Sequence, residues 1–119
     1  MITGGNATIY VSDLDQALAF YVDTLGLTLD QHAPGHFAMV KTNSGFNIGL
    51  HPAGPHSPQP GSKGAISVGF WVDQPIDDAC RDLTNKGVTF LGKPRDDGPI
   101  KLAFFADPDG NPLYLSSSK

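Results

Sequence analysis

The sequence predicts an α+β fold of two tandem βαβββ modules, and three observations carry that prediction. Ile9-Tyr10-Val11-Ser12 returns 61 positions later as Phe70-Trp71-Val72-Asp73. The same shift carries Gly26 onto Gly87 and Leu27-Thr28-Leu29 onto Val88-Thr89-Phe90. A second echo, at a spacing of 65, sets Gly45-Phe46-Asn47-Ile48-Gly49-Leu50 against Gly110-Asn111-Pro112-Leu113-Tyr114-Leu115. Each copy reads as strand, helix, glycine stop and further strands. Repeats this long mark an internal duplication, in which equivalent positions of the two copies would build a shared site. The expected organisation is one domain over residues 1–119, with modules at about 5–51 and 65–116 and a linker at 52–64.

In the first module, Ala7 to Val11 alternates. Ala7, Ile9 and Val11 take one face, and Asn6, Thr8, Tyr10 and Ser12 take the other. The apolar face should meet the helix that follows. Ser12 is the expected N-cap, with Asp13 adding charge to the first turn, and Leu14, Ala17, Leu18, Tyr21 and Leu25 recur at helical spacing until Gly26. Leu27 to Gln31, Phe37 to Lys41 and Phe46 to His51 read as three strands, parted by Ala33-Pro34-Gly35 and Asn43-Ser44-Gly45 turns.

Residues 52–64 are rich in Pro, Gly and Ser without apolar periodicity, which is the composition of a connector. Ala65 to Val72 opens the second module, with Ile66, Val68, Phe70 and Val72 toward a helix and Ser67, Gly69, Trp71 and Asp73 opposite. Pro75 suits the first helical turn, and Ile76, Ala79, Cys80 and Leu83 form the stripe before Gly87. On that stripe Cys80 is a small core residue rather than a reactive thiol. Val88 to Leu91, Ile100 to Ala106 and Pro112 to Ser116 read as the remaining strands. Asp96-Asp97-Gly98-Pro99 reads as a solvated turn, and the Asp107 to Asn111 carboxylates as caps on turn N–H groups.

Composition excludes several function classes. The 119 residues can bury roughly two thirds of their unfolded surface without staples. One cysteine cannot form an internal disulfide, and no apolar run is long enough to span a bilayer. Met1 to Gly5 lacks the charged start and apolar core of an export signal, so a cytoplasmic setting is expected. Net charge is −4 and the cations are scattered, so neither nucleic acid nor membrane is an expected partner. The acidic balance mildly favours cationic small partners. Every acidic residue is Asp; the chain contains no Glu. Phosphate-binding Gly-rich loops, a nucleophile elbow and Cys/His metal spacings are absent.

The run Val11-Ser12-Asp13-Leu14-Asp15-Gln16-Ala17-Leu18-Ala19-Phe20-Tyr21, closing on Leu25-Gly26-Leu27, resembles the vicinal oxygen chelate superfamily of glyoxalases, extradiol dioxygenases and bleomycin resistance proteins. The late Asp107-Pro108-Asp109-Gly110-Asn111 before a strand is its other signature. The resemblance implies curved mixed sheets around a central cavity. It also implies metal ligands, ordinarily His and Glu, on the first and last strands of each module. Those places fall on Asn6, Gly49, Ser67 and Tyr114, which the internal repeat independently pairs as Asn6 with Ser67 and Gly49 with Tyr114. Glycine has no side chain, Asn and Ser are weak neutral donors, and Tyr would have to lose its proton. No metal and no other cofactor are therefore expected. A rebuilt metal site would have to draw on His51 and Asp73.

With the family ligands gone, the expected ligand-binding residues are Thr8, Tyr10, Asn47, His51, Ser67, Trp71, Asp73 and Tyr114, to which the strand orientation that the resemblance implies adds Leu102 and Phe104. Flat aromatics beside neutral polar groups suit a small organic ligand with planar or apolar parts. The expected function is metal-independent binding, resembling sequestration by bleomycin-resistance-type proteins and, as the resemblance implies, by a homodimer. One alternative is a lyase, isomerase or dioxygenase-type enzyme around His51, with Tyr10 or Tyr114 as proton donor or acceptor. Another is a structural domain whose cavity Trp71 and Tyr114 fill.

Overall fold

The computed structural model describes residues 1, 3–62 and 67–118. It contains two compact units, Met1–Ser62 and Lys63–Lys119, each holding one four-stranded mixed sheet. Among the described residues no helix is long and apolar enough to cross a membrane.

In the first unit, β1 (Ala7–Val11) pairs in parallel with β4 (Asn47–Pro52). Antiparallel β3 (Phe37–Lys41) and β2 (Thr28–Ala33) follow, giving the order β1-β4-β3-β2. Helix α1 (Leu14–Leu18) packs on β3 and β4. Alternation works as the sequence implies: Ile9, Val11, Ala38, Val40, Ile48 and Leu50 are buried, as are Leu14, Ala17 and Tyr21. Each large aliphatic side chain buried this way contributes about 1.5–3 kcal/mol.

Two details differ from expectation. The N-cap is Asp13 rather than Ser12: Asp13 is extended, and its Oδ1 accepts from the Gln16 N–H at 3.0 Å. The carboxylate both caps the turn and faces the positive end of the helix, an advantage a hydroxyl lacks. The helix also does not continue as α to Gly26 but widens into a π segment, Ala19–Thr24. The Leu25 N–H reaches back five residues to the Phe20 carbonyl, and Leu27 reaches Tyr21. Apolar spacing over so short a span does not separate the two helix types; Tyr21 is fully buried in the π segment. Gly26, at φ 82°, closes the segment.

The second unit repeats the plan as β5 (Val68–Trp71), α2 (Ile76–Asn85), β6 (Arg95–Asp97), β7 (Ile100–Ala106) and β8 (Pro112–Ser118), with sheet order β5-β8-β7-β6. The expected start of its first strand, Ala65 and Ile66, lies outside the described residues. Val68, Phe70, Ala103, Phe105, Leu113 and Leu115 form the buried face, and α2 packs on β7 and β8 through Ile76 and Ala79. Pro75 sits one place earlier than expected, at the N-cap. Gly87, at φ 98°, ends α2 with a Val88 N–H to Leu83 carbonyl bond, a Schellman-type stop.

The expected strand at Val88 to Leu91 shrinks to a single bridge between Phe90 and Phe105. Gly92 at φ 117° then turns the chain away, and Pro94 has no N–H to donate. Pairing resumes at β6, which lies where the sequence suggested a solvated turn. Asp97 pairs with Ile100 across Gly98-Pro99, with Gly98 at φ 61°, as a two-residue hairpin with glycine first requires.

The registers reproduce both echoes. Ala7 opposite Ile48 in the first sheet becomes Val68 opposite Leu113 in the second, and Tyr10 opposite His51 becomes Trp71 opposite Ser116. At the turn before β8, Asp107 is buried, and its Oδ1 accepts from the N–H groups of Asp109 at 3.0 Å and Asn111 at 2.8 Å. Its Oδ2 accepts from Asn111 Nδ2 at 2.8 Å. This Asp is a structural cap.

Candidate functional site

The face of each sheet turned away from its helix carries most of the residues singled out by sequence. In the first sheet these are Thr8, Tyr10, Asn47, Gly49 and His51, with Met39 beside Gly49. Asn6 Nδ2 donates to Thr8 Oγ1 at 3.1 Å, and this pair occupies the space above Gly49. A Cβ on Gly49 would lie 3.0 Å from Asn6 Nδ2 and 3.2 Å from Thr8 Oγ1. Asn47 Nδ2 reaches the Gly5 carbonyl at 3.4 Å, a long contact. The Tyr10 and His51 rings stand 5.8 Å apart at 55°. His51 Nδ1 lies 2.8 Å from the Pro52 carbonyl. A carbonyl only accepts, so Nδ1 carries a proton and Nε2 of the neutral ring is the remaining acceptor.

In the second sheet one row runs Gly69, Tyr114, Phe104 and the next Trp71, Ser116, Leu102, Arg95. Tyr114 lies across Gly69: a Cβ there would fall 2.1 Å from the ring's Cζ. Glycine is the one residue that permits this approach, and the ring in turn covers the bare backbone. Tyr114 stands 5.8 Å from Phe104, ring to ring. The Arg95 guanidinium sits 4.6 Å over the opposite partner, Phe104. Trp71, at the end of β5, is 88% exposed. In this chain Trp71 is not core filling.

Arg95 is not among the expected residues, because the sequence predicts a solvated turn at Asp96-Asp97-Gly98-Pro99 and no strand beside it. The Asp97-Gly98 dipeptide ahead of an apolar strand is a hairpin signal that could have placed it. Asp73 is a second departure. β5 ends at Trp71, so strand parity no longer governs residue 73, and Asp73 instead lines a cavity at the start of α2. Ser67 is exposed just ahead of β5.

The places of the family's metal ligands can be tested on these contacts. Asn6 could offer only a neutral amide oxygen, Gly49 has no side chain and no room for one without moving the Asn6–Thr8 pair, and Tyr114 lies across Gly69 with a phenol that would have to lose its proton. A divalent ion needs several convergent His or carboxylate donors. Among the described residues no three His, Cys or Asp side chains gather into such a group. These residues do not fit the family's metal.

Comparison with curated proteins returns no significant match. Solved structures do match. A superfamily member from Sphaerobacter thermophilus DSM 20745 is 30% identical, with 99% of this chain and 100% of that one aligned at a TM-score of 0.79. TnmS3, an antibiotic binding protein from Streptomyces sp. CB03234, is 28% identical over 100% of this chain and 99% of its own, also at 0.79. A lactoylglutathione lyase from Agrobacterium tumefaciens, at 21% identity, coverage of 98% and 94% and a TM-score of 0.76, shares the fold. The model of the Glyoxalase/Bleomycin resistance protein/Dioxygenase superfamily matches residues 5–115, nearly the whole chain, and the protein belongs to that superfamily.

Proposed function

We propose that this protein binds a small planar organic ligand on the open aromatic face of its second sheet, without a metal ion, and acts by sequestration. The observation that carries this reading is Trp71, 88% exposed on the same face as Leu102, Phe104 and Tyr114. An aromatic of this size left in solvent is a strong source of apolar contact area, and rings of different tilt beside it suit a flat partner. Antibiotic binding by TnmS3, 28% identical, supports the ligand class. Arg95 over Phe104 favours a ligand carrying acceptor groups over the cationic one that overall charge suggested.

The protein acts as a homodimer in which two-fold pairing shelters this face. Sedimentation should give twice the chain mass at micromolar concentration, and a monomer there contradicts the pairing. The binding reading is tested by a thermal-shift screen of planar antibiotics and aromatic metabolites, run with chelator and separately with nickel, zinc, manganese or ferrous iron. Stabilisation indifferent to chelator is expected. Stabilisation that requires a metal overturns the metal-free reading.

One observation favours a second reading. The Pro52 carbonyl fixes the proton of His51 on Nδ1, which leaves Nε2 as a base beside the Tyr10 ring. In that reading the protein is a lyase or isomerase with His51 as base. Mass spectrometry of screened ligands after incubation separates the two: unchanged ligand supports sequestration, and conversion lost in His51→Gln supports the enzyme.

A further inference from the structure

The buried face of the second sheet changes character at one end. Paired residues along it run Phe105 and Leu113, then Ala103 and Leu115, and then Lys101 and Ser117. Helix α2 covers the apolar pairs, but its first residue, Ile76, comes level with the polar pair and leaves a cavity of about 560 Å³ there. Ser117, Lys101, Pro75, Ile76, Asp73 and Asp77 are among its walls, and all lie within the second unit.

Three features of this cavity bear on its use, and across the strands from Lys101 stands a further carboxylate, Asp96. Ser117 is 7% exposed, and its Oγ has no hydrogen-bond partner among the described residues. A buried hydroxyl without a partner is destabilising, and alanine would do better for packing alone. Lys101 forms no ion pair among the described residues. The start of α2 is uncapped by any side chain, because its N-cap is Pro75, whereas Asp13 caps α1. The Asp78 N–H donates to the Pro75 carbonyl, which leaves the N–H groups of Ile76 and Asp77 at the partially positive end of the helix. Against these donors stand two carboxylates, Asp73 and Asp77.

We propose that this cavity is a second binding site, for a small zwitterion of the α-amino acid class. Its carboxylate is taken by Lys101 Nζ, Ser117 Oγ and the first-turn N–H groups of α2, and its ammonium faces Asp73 and Asp77. A simple anion would meet two carboxylates, and a simple cation would meet Lys101 and the helix terminus. Only a ligand bearing both charges satisfies the whole lining. The volume falls within the range of about 300–1,000 Å³ usual for small-ligand sites.

Isothermal titration of the full chain with a panel of free amino acids tests this, with inorganic phosphate and putrescine as singly signed controls. At least one amino acid should bind while neither control does. Ser117→Ala and Lys101→Met should each weaken that binding by about tenfold or more, the effect of losing a hydrogen bond to a charged group. Trp71→Ala should leave it unchanged, which separates this site from the aromatic face. Unliganded Ser117→Ala should melt above the wild type, since an unpaired buried hydroxyl is removed. Binding of phosphate or putrescine alone, no amino acid bound, affinity that survives both cavity substitutions, or affinity lost in Trp71→Ala would each overturn the proposal.

Discussion

The two modules share one strand register and differ in which strand carries the glycine. Thr8 faces Gly49 in the first sheet; at the equivalent places Gly69 faces Tyr114 in the second. In the first, the space over the glycine is taken by two short polar side chains bonded to each other, Asn6 and Thr8. In the second, a tyrosine ring fills it and continues through Phe104 to Arg95. Duplication has kept the backbone and moved the side-chain volume from one strand to the other. The result is one polar open face and one aromatic face from a single plan.

Substitutions at the two glycines should break this contrast most sharply. Gly69→Val drives a branched side chain into the Tyr114 ring, and we expect a loss of about 1–3 kcal/mol in urea unfolding together with loss of ligand binding. Gly49→Ala meets only the ends of the exposed Asn6 and Thr8 side chains, which can turn aside, so a change within about 0.5 kcal/mol is expected. Equal losses at both positions would show that the glycines are interchangeable.

Next in size is the aromatic pair at the strand ends. Trp71→Ala should weaken a screened ligand by roughly tenfold or more, from lost area plus about 0.5–1.5 kcal/mol of ring contact. Its stability should stay within about 0.5 kcal/mol of the wild type, because an exposed side chain supports little packing. Tyr10→Ala, its equivalent in the polar sheet, should weaken the same ligand less. A larger effect at Tyr10, followed by titration calorimetry, would move the site to the first module.

Smaller still, Arg95→Gln should lower stability by about 0.5–1 kcal/mol, as expected for an exposed guanidinium over a ring, measured by urea unfolding. The smallest effect concerns Cys80. Burial first, and the Asp77 carboxylate second, push its thiol above the ordinary value of 9.0. The folded state thus holds this proton more tightly than the unfolded one. Its contribution to stability is complete below pH 9.0 and is lost as pH rises through the folded value. Cys80→Ser should lose less stability than the wild type on going to strongly alkaline pH, measured by thermal unfolding.

Much of this architecture was legible because alternation and repetition are local and redundant. Ile9, Val11 and Phe70 fall on the buried faces that strand parity assigns them, and Trp71 falls opposite. The Asp107 cap was legible for the same reason, since turn chemistry is written within five residues. What was not legible depends on partners distant in sequence. Arg95 sits in an acidic, Gly- and Pro-rich stretch that becomes a strand only because β7 is there to pair with it. Asp73 follows parity only while the strand lasts, and β5 stops two residues short of it. Ser117 lies one residue beyond the last strand that the sequence predicts, Pro112 to Ser116, and its burial comes from the placement of α2 above the sheet.

The fluorescence of Trp71, the only tryptophan in the chain, reports directly on whether an aromatic face binds ligand without a metal. A ligand found in the screen is titrated into the protein in the presence of chelator while that emission is followed. A saturable change in emission is expected, with the same midpoint whether or not nickel or zinc is added. Binding that leaves the emission untouched, or that vanishes under chelator, would contradict it.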